Sequence, residues 1–535
     1  MSRLRGVLSR AASGAGVLAG LPAPAPLEAV VHGRLTERLA LLDEVLHGGT
    51  EPDPDSDAVR ARLVASLVPS RPDLLWLVVA VVGARLPQSA EVERLLRELV
   101  LDGASATLDR VLREHALDFS RARGRRVRVV TGTLVDVHHT SRTGMATGIQ
   151  RVSRELVRRW DAEPDHEVVL VGWSDGLDSL RLLAPAERRT ALGERTPADP
   201  SPADAHLQAD EDEVVVPWGA RYVLPELALE PERTSRLRAM ARWSGTRCSA
   251  IGFDCVPITS SETTDVMVSE HFANNLAALR HFDHVVAISE SAAREYRGWC
   301  RMLSAIGEPG PRVDACLLPA HVGDVDDETL ETTRRRMTVG ALPMVLCVGT
   351  HEPRKNHLAV LQAAERAWRD GMRFTLAFVG GNAWNSGGFV AELGRLQQAG
   401  RPVENFTVVD DDMLWSAFRL ARFMVFPSLN EGFGLPVAEC LAAGTPVLTS
   451  GHGSLAEIAA GGGALTIDPR DDDALAAAFA RMVRDDSLVA RLRREAVARA
   501  PRTWEDYAGE IWDILGDRTQ HGDDREPETD ISRAV

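Results

Sequence analysis

Two glutamates, Glu431 and Glu439, lie eight positions apart in the segment NEGFGLPVAEC, and glycines surround the first of them. Paired carboxylates can serve as acid and base on a glycosidic bond when they are about 5–9.5 Å apart. Eight residues of helix, however, span about 12 Å at ~1.5 Å per residue. The spacing therefore disfavours a hydrolase pair. It favours two separate acceptors on one extended ligand, one for a ribose and the other for a sugar.

The segments around these glutamates predict a strand, a loop and a helix. FMVFPS is a buried-strand pattern that ends at Ser428, so the following loop places Glu431 at the mouth of a sheet. Pro436 is tolerated in a first helical turn and Gly444 is a typical helix stop, which places Glu439 on the helix. Three backbone N–H groups precede this helix and can meet a charged or hydroxylated ligand, those of Gly432, Phe433 and Gly434.

Two cations occupy a second corner between strand and helix. MVLCVGT predicts a buried strand that ends at Gly349, and a helix is expected from about Asn356. Arg354 and Lys355 lie between them, where ligands of open α/β sheets bind. Lys355 is the single lysine among 61 basic residues, and cations are unfavourable at a helix start unless an anion joins them. Together they predict a diphosphate-binding site.

The pattern along the chain predicts an α/β fold, because strands alternate with helices over most of its length. We expect two Rossmann-like domains that face a cleft, preceded by a small helical region. The expected segments are 1–120 for the helical extension, 124–325 for the first domain, 340–500 for the second, 501–516 for a crossing helix and 517–535 for a disordered tail. RARGRRVRVVTGTLVDV is expected to be a basic linker and one strand, and FTVVD a strand from Phe406 to Val409.

Composition and charge exclude several classes of function. A formal net charge of −16 disfavours a nucleic-acid partner, because backbone binding needs a concentrated basic face. No apolar run reaches the ~18 residues of a membrane span, and LLWLVVAVV (74–82) is expected to be a buried helix. Six scattered cysteines suit a reducing, cytoplasmic location. Arg3, Arg5 and Arg10 favour a peripheral contact with anionic lipid.

Motifs for metals and cofactors are weak. His138 and His139 are adjacent, but no third ligand is apparent in the sequence. The aspartates of VVDDDM are expected to cap the following helix rather than to bind a metal. The first strand of neither expected domain leads into GxGxxG, which disfavours an NAD enzyme. The motif GK[ST] does not occur in the sequence, which excludes a P-loop enzyme. We therefore expect neither a metal nor a cofactor.

The motif RKN, followed about 75 residues later by EGFGLPVAECLAAGTPV, resembles the C-terminal half of retaining glycosyltransferases of family 4 (glycosyl transferases group 1), which have the GT-B fold. The E-x7-E pattern of that family is intact, and the resemblance covers roughly residues 345–500. In the first domain, TGIQRVSREL, FDCVP and HVVAISESA are similar to the family's N-terminal loop and helix, its DxxP turn and its strand before the interdomain linker.

The resemblance implies roles for the matching residues. Arg354 and Lys355 bind the donor diphosphate, Glu431 contacts the transferred sugar, and Glu439 binds the ribose. These first three are the implied catalytic residues. The other implied donor contacts are the amides of Gly432, Phe433 and Gly434, Gly349 at the strand end, Gly148 in the first-domain loop and Val409 near the base. The last helix, around Trp504, is implied to pack back on the first domain.

The resemblance also implies a reaction, in which a sugar moves from a nucleotide-diphosphate-sugar to a glycan or lipid-linked acceptor with retention and without a metal. The leaving diphosphate takes the proton of the incoming hydroxyl on the same face. GDP-mannose is the first expectation for the donor and UDP-glucose the second.

Two positions depart from the family pattern. Thr350 replaces a frequent arginine, and Phe253 replaces a frequent histidine. These departures keep open a non-catalytic nucleotide-sugar binder or scaffold. An epimerase or phosphorylase on the same fold is a further alternative, although E-x7-E favours transfer.

Overall fold

The computed structural model describes residues 27–48, 56–117, 124–144, 147–194, 212–264 and 266–516. The arginines near the N-terminus, the expected tail and most of PADPSPADAHLQADEDE, which the sequence predicts to be an acidic surface loop, therefore lie outside the described residues. Within these ranges the first elements are five helices: α1 (Leu27–His47), α2 (Ser56–Ser66), α3 (Pro72–Gly83), α4 (Ser89–Asp102) and α5 (Ala104–Leu117). The predicted burial of LLWLVVAVV is confirmed, since α3 is buried along this whole run.

The helical region packs directly on the first sheet. The Arg38 guanidinium donates to the carbonyl of Val82 at 2.9 Å and to that of Arg125 at 2.6 Å. Arg125 in turn pairs with Asp178 at 2.9 Å, and Asp178 accepts a backbone bond from Leu86 at 2.9 Å. Apolar residues of the helices and of the sheet belong to one continuous core. The five helices are thus built onto the first domain rather than held apart from it.

The first domain contains a nine-stranded sheet in the order β1-β5-β4-β3-β2-β6-β7-β8-β9, parallel except at β4. Its strands are β1 (Arg126–Val130), β2 (Thr133–Asp136), β3 (Val168–Trp173), β4 (Leu180–Leu182), β5 (Glu213–Pro217), β6 (Arg221–Leu224), β7 (Arg247–Gly252), β8 (His284–Ala287) and β9 (Arg312–Ala315). Its helices are α6 (Gly148–Ala162), α7 (Pro185–Leu192), α8 (Pro231–Trp243), α9 (Val256–Thr259), α10 (Val266–Leu279) and α11 (Glu290–Ala305).

The prediction of a single strand in RVRVVTGTLVDV was wrong. The extended segment is interrupted at residues 131–132 and forms two strands. β1 lies at the sheet edge beside β5, whereas β2 lies in the centre between β3 and β6. Periodicity gives no sign of this change of partner, because both halves carry the same β-branched pattern. The sequence also predicts strands at HEVVLVGW, DEVVVPW, CSAIGFDCVPI and HVVAIS, which correspond to β3, β5, β7 and β8. It does not predict β4, β6 and β9, each only three or four residues long.

After α12 (Asp327–Met337), the second domain forms a six-stranded parallel sheet in the order β12-β11-β10-β13-β14-β15. Its strands are β10 (Met344–Val348), β11 (Thr375–Val379), β12 (Val403–Phe406), β13 (Phe423–Phe426), β14 (Val447–Ser450) and β15 (Ala464–Ile467). Its helices are α13 (His357–Arg369), α14 (Gly387–Gln398), α15 (Asp411–Leu420), α16 (Leu435–Ala442), α17 (Gly453–Ala459), α18 (Asp472–Arg484) and α19 (Asp486–Val497). The α/β class and the paired sheets are confirmed.

The strand predicted from Phe406 to Val409 was wrong in its bounds. β12 ends at Phe406, where the sheet pairing with Val379 stops. Residues 407 and 408 are exposed, and Asp410 begins the cap of α15. The β-branched pair Val408–Val409 imitates a strand, but a strand here would leave its side chains with no sheet to pack on.

The last helix, α20 (Trp504–Gly516), returns from the second domain to the first. Its Ala508 carbonyl accepts a bond from the indole of Trp160 on α6 at 3.0 Å. The ring of Trp512 stacks on His166 with centroids 3.7 Å apart. None of the helices in the described ranges is both long enough and apolar enough to cross a membrane.

Candidate active site

The strand order of the second sheet reverses at β10, which lies between β11 and β13. Such a reversal opens a crevice at the carboxyl ends of the strands, where ligands of open α/β sheets bind. The chain leaves β10 at Gly349 and turns through a single 3-10 turn, Pro353–Lys355, before α13. Asn356 closes this turn with φ of 58°, a conformation that asparagine tolerates better than most residues. The turn aims the side chains of Arg354 and Lys355 toward the loop that follows β13.

Arg354, Lys355 and Glu431 form one compact cluster across that crevice. The Lys355 ammonium lies 2.6 Å from Oε1 of Glu431, and Nη1 of Arg354 lies 2.7 Å from Oε2. The other guanidinium nitrogen of Arg354 contacts Glu352 at 2.5 Å. The Lys355 ammonium also lies 5.1 Å from the centre of the Phe426 ring at the end of β13. The predicted phosphate-binding cations and the predicted sugar acceptor are thus in direct contact.

The side chains of this cluster are mostly buried, and their opposite charges shift one another's pKa values. Burial opposes the charge on Glu431, yet Arg354 and Lys355 outweigh it and lower its pKa to about 2. Burial lowers the pKa of Lys355, while Glu431 acts in the opposite direction. Burial likewise opposes the charge of Arg354, but Glu431 and Glu352 raise its pKa above the usual value. At neutral pH Glu431 is therefore an ionised acceptor of low basicity.

The loop of residues 428–434, here named the glycine loop, is held in place by hydroxyl groups. Ser450 donates to the carbonyl of Ser428 at 2.6 Å, and Ser454 donates to that of Glu431 at 2.8 Å. From the first domain, Ser289 donates to the carbonyl of Gly432 at 2.6 Å. Carbonyls of this loop are engaged, whereas its N–H groups at positions 431–434 have no acceptor within the described parts of the chain. They remain able to bind an anion or a hydroxyl oxygen.

The first domain also approaches the glycine loop closely at Asp254. A Cβ atom added to Gly432 would lie 2.7 Å from Oδ2 of Asp254 and from the carbonyl of Phe253. Only glycine fits this contact. Desolvation raises the pKa of Asp254 to about 6, with Arg354 opposing it and Glu295 and Glu431 adding to it. Asp254 therefore faces the cationic cluster from across the crevice.

Glu439 lies on α16, as predicted, and its side chain is only 4 % exposed. It forms a short ion pair with Arg151 of α6, so that it is held by the opposite domain. Burial raises the pKa of Glu439 to about 7 even though Arg151 opposes this rise. The two glutamates thus pair with different cations, and their pKa values differ. They do not form a carboxylate pair that shares a proton.

The remaining predicted donor contacts are distributed around this crevice. Gly148 begins α6, and a Cβ atom there would lie 3.7 Å from Cδ1 of Leu435, the first residue of α16. Gly434 precedes α16 with φ of 109° and abuts Leu455, so a side chain at this position would be strained and crowded. Phe433 is buried in the core. Val409 is half-buried in the turn before α15 rather than at a strand end.

The two departures from the family pattern have different environments. Thr350 is exposed beside Gly349, where the chain leaves β10. Phe253 is 4 % exposed, and its ring belongs to the apolar core at the end of β7. Its backbone carbonyl, not its side chain, faces the glycine loop.

The motifs that imitate metal sites have structural roles. Asp410 caps α15 by accepting a bond from the Met413 N–H at 2.8 Å, which confirms the predicted cap. His138 accepts from the Trp173 N–H at 3.1 Å, and burial lowers its pKa to about 3. His139 pairs with Glu230 at 2.7 Å. Among the described residues, no group of three or more His, Cys, Asp or Glu side chains has a geometry suited to a metal ion.

Sequence reasoning missed three contributors from the first domain: Arg151, Asp254 and Ser289. Each lies inside a segment already recognised as similar to the family, in TGIQRVSREL, FDCVP and HVVAISESA respectively. Arg151 follows Gly148 by three positions, which places both on one face of α6. This spacing was the sequence feature that could have identified Arg151 as a site residue. The partner of each residue lies in the other domain, and no local pattern identifies it.

Comparison with known proteins agrees with this geometry. Residues 334–499 match the family described as glycosyl transferases group 1. Over 325 residues the chain is 25% identical to the serotype-specific mannosyltransferase WbdA of Escherichia coli. This match covers 59% of this chain and 38% of that protein. Over 162 residues it is 34% identical to the O-antigen chain mannosyltransferase B of Escherichia coli, covering 30% of this chain and 42% of that protein. The chain spans about two fifths of the length of the curated relatives it matches.

Solved structures share the architecture. Anabaena HepE in complex with UDP-glucose superimposes with a TM-score of 0.51 at 14% identity, covering 72% of this chain and 100% of that one. At 14% identity, this similarity shows the fold alone. The cationic turn after β10 and the intact E-x7-E loop lie within the matched residues and agree with the family match. Residues 334–499 are therefore similar to a domain of the glycosyl transferases group 1, within a chain that has the two-domain GT-B fold.

Proposed function

We propose that the protein is a retaining glycosyltransferase, which moves a sugar from a nucleotide-diphosphate-sugar to a glycan or lipid-linked acceptor without a metal ion. The observation that carries this proposal is the cluster of Arg354, Lys355 and Glu431 at the reversal point of the second sheet. Asp254 of the first domain faces the same cluster. The family match of residues 334–499 supports the proposal.

The cluster suits a reaction in which negative charge grows on a leaving diphosphate. Arg354 and Lys355 supply two positive charges in a nearly buried site. The N–H groups at positions 431–434 of the glycine loop, which have no acceptor in the described parts of the chain, add oriented donors. Donors fixed in place before the reaction stabilise developing charge most effectively, because they need no reorganisation. These residues lower the energy of the departing diphosphate.

The carboxylates hold the donor rather than attack it. Glu431 has a pKa of about 2 and is bonded to both cations, so it is a weak base and a weak nucleophile. When the diphosphate shares those cations, Glu431 becomes an acceptor for hydroxyls of the sugar. Asp254 faces this point from the first domain, where it orients the incoming hydroxyl. The diphosphate then takes the hydroxyl proton on the face that it leaves, which gives retention.

GDP-mannose is the proposed donor, with UDP-glucose second. The first choice is supported by relatives that are named mannosyltransferases, and the second by the UDP-glucose complex of HepE. A growing polysaccharide is the proposed acceptor, in line with the name of the O-antigen chain mannosyltransferase. Action in the cytoplasm, with a peripheral contact to anionic lipid, completes the proposal.

The test begins with a thermal-shift screen of the purified chain against GDP, UDP, ADP and their sugar conjugates, with and without EDTA. A ligand that binds only the folded state raises its melting temperature. We expect one base to shift the melting temperature, with no change on adding EDTA. A shift that disappears with EDTA would contradict the metal-free reaction.

The catalytic step is tested by Glu431→Gln with the donor found in that screen. We expect sugar transfer to fall by at least tenfold while affinity for the bare nucleoside diphosphate changes less, because the carboxylate serves the sugar. Wild-type turnover in Glu431→Gln would remove Glu431 from the site.

A non-catalytic nucleotide-sugar binder is the second candidate function. It is favoured by Thr350 and Phe253, which replace residues frequent in the family, and by the close attachment of the helical region to the first sheet. This candidate predicts a thermal shift with a nucleotide-sugar but no nucleotide release and no product with any acceptor. Donor turnover without added acceptor would rule it out.

A further inference from the structure

The ion pair between Arg151 of α6 and Glu439 of α16 joins the two domains. Nη1 of Arg151 donates to Oε1 of Glu439. The second oxygen of Glu439, Oε2, has no bonding partner among residues in the described ranges, although the side chain is only 4 % exposed. A buried carboxylate that is held at one oxygen and open at the other is prepared to accept a bond from one further donor.

We propose that Arg151 is a positioning residue for the nucleotide, which fixes Glu439 through Oε1 and leaves Oε2 to accept a ribose hydroxyl. The inference rests on the proposed function, because it assigns the ribose of the donor to Glu439. It adds a contribution from the first domain to a site built otherwise by the second.

The structure explains why Glu439 needs this cation. A carboxylate taken out of water without a partner becomes protonated, and a protonated oxygen is a poorer acceptor. Burial already raises the pKa of Glu439 to about 7, against the effect of Arg151 and together with that of Asp411 on α15. Arg493 on α19 acts on the neighbouring Cys440 and donates to the Ala421 carbonyl instead. Removal of Arg151 should therefore raise the pKa of Glu439 further.

The location of Arg151 makes this contact dependent on the arrangement of the domains. Arg151 and Gly148 are three residues apart on α6, and both face α16. The start of α6 lies beside Leu435, where a Cβ atom on Gly148 would make an ordinary contact at 3.7 Å, and Arg151 reaches Glu439 one turn further along. Together they couple the position of the first domain to the ionisation of the ribose acceptor.

The experiment measures calorimetric affinity for GDP and UDP and for their 2′,3′-dideoxy analogues between pH 6.5 and 9. The proteins are the wild type, Arg151→Ala, Arg151→Lys and the control Arg159→Ala. Arg159 lies on the same helix and also forms an ion pair with the returning helix α20, with Glu505 at 2.6 Å, but that glutamate is 70% exposed. The control thus removes an interdomain ion pair of α6 away from the nucleotide.

We expect Arg151→Ala to lose about tenfold or more in affinity for the ribonucleotide at pH 7, the effect of one charge-assisted contact. Affinity for the dideoxy analogue should change little, and the loss should shrink toward pH 9 as Glu439 ionises. Arg151→Lys should keep most of the affinity, and Arg159→Ala should match the wild type. Retained binding of the dideoxy analogue also shows that Arg151→Ala is folded.

Two results would overturn the inference. If Arg151→Ala binds both nucleotides as the wild type does, or more tightly, Arg151 does not position Glu439 for ribose. If Arg151→Ala loses the same factor in affinity for the ribonucleotide and for its dideoxy analogue at every pH, Arg151 acts on the diphosphate or on the fold. A wild type that binds none of the nucleotides is a different failure, which rejects the proposed function itself and the inference with it.

Discussion

At the scale of single residues, each glutamate of the E-x7-E loop has its own cation and its own ionisation. Glu431 is matched by Arg354 and Lys355 from the same domain, which lower its pKa to about 2. Glu439 is matched by Arg151 from the other domain and keeps a pKa of about 7, because burial dominates. One residue therefore stays charged at all physiological pH values, while the other changes its charge near neutrality.

Replacement of Lys355 tests the phosphate assignment. We expect Lys355→Ala to weaken binding of a nucleoside diphosphate by roughly 10- to 100-fold, since a bond to a charged group contributes about 1.5–3 kcal/mol. Folding should be retained, because Arg354 still lies 2.7 Å from Glu431. Titration calorimetry and urea unfolding measure the two effects.

The matched control for Lys355 is Arg366→Ala on α13. Arg366 pairs with Asp473, and both side chains are mostly exposed. This variant removes a cation of the second domain away from the crevice, so its nucleotide affinity should be that of the wild type. Equal affinity of Lys355→Ala and the wild type would remove Lys355 from the phosphate site.

The pKa of Glu439 makes the free energy of unfolding dependent on pH. A carboxyl raised from its usual 4.5 to about 7 binds a proton more tightly in the folded state. Its contribution is therefore present at low pH and is lost as pH rises from about 4.5 through 7, by about 3 kcal/mol. In Glu439→Gln this decline should be missing.

Urea unfolding at pH 5 and pH 8 checks this effect as a difference between the wild type and Glu439→Gln. The difference cancels other groups, such as Asp254, whose pKa is also raised. If both proteins change equally between the two pH values, Glu439 does not titrate in this range.

At the scale of elements, the site is assembled from the ends of strands and the starts of helices. The 3-10 turn after β10 presents the cations, and the glycine loop after β13 presents Glu431 and the N–H groups at positions 431–434, for which the described residues supply no acceptor. The start of α15, which carries three consecutive aspartates, uses the first of them, Asp410, as a cap. Helix caps and ligand sites thus use the same residue types, and only the hydrogen bonds distinguish them.

The role of Asp410 separates a helix cap from a metal ligand. Asparagine caps helices about as well as aspartate, whereas alanine costs about 1 kcal/mol. We expect Asp410→Asn to unfold at nearly the same urea concentration as the wild type and Asp410→Ala to be less stable by about 1 kcal/mol. Sugar transfer by Asp410→Asn should be unchanged with or without EDTA. A loss of activity in Asp410→Asn with intact stability would favour metal binding by this segment.

At the scale of the whole molecule, many contacts hold the two domains against each other, and three of them differ in their relation to the proposed donor site. Ser289 and Asp254 meet the glycine loop, Arg151 meets Glu439, and α20 packs on α6. The first two lie at the proposed donor site, and the third lies away from it. The helix α20 can therefore set the relation of the domains without touching the donor.

Truncation of Ile511 on α20 tests the third connection. Ile511 is fully buried, and large-to-small changes at such positions cost about 2–5 kcal/mol. We expect Ile511→Ala to lower the free energy of unfolding in urea by an amount in this range. The exposed Asp513 of the same helix offers a control, and Asp513→Ala should change stability by less than about 0.5 kcal/mol. A similar small effect of Ile511→Ala would show that α20 contributes little to the assembly.

The amino-acid sequence by itself determined the α/β class, the strands β10 and β13 that end at the site, and the placement of Glu431 in a loop and Glu439 on a helix. These features depend on short-range physics. Buried strands need continuous apolar runs, proline and glycine bound the helix of Glu439, and cations at a strand-to-helix corner predict an anion. Where local patterns were ambiguous, as in RVRVVTGTLVDV and FTVVD, the predicted bounds were wrong, because the choice of neighbouring strand is not encoded locally.

Only the tertiary structure decided which charges meet. Arg151 and Glu439 are 288 positions apart in the chain, and Ser289 and Gly432 are 143 apart. No periodicity or spacing links such pairs, since their contact follows from the closing of one domain on the other. The pKa values of Glu431 and Glu439 differ for the same reason, because burial and the partner cation are set by packing. Residue types therefore specified which groups were available, and the facing domains specified how they are charged and held.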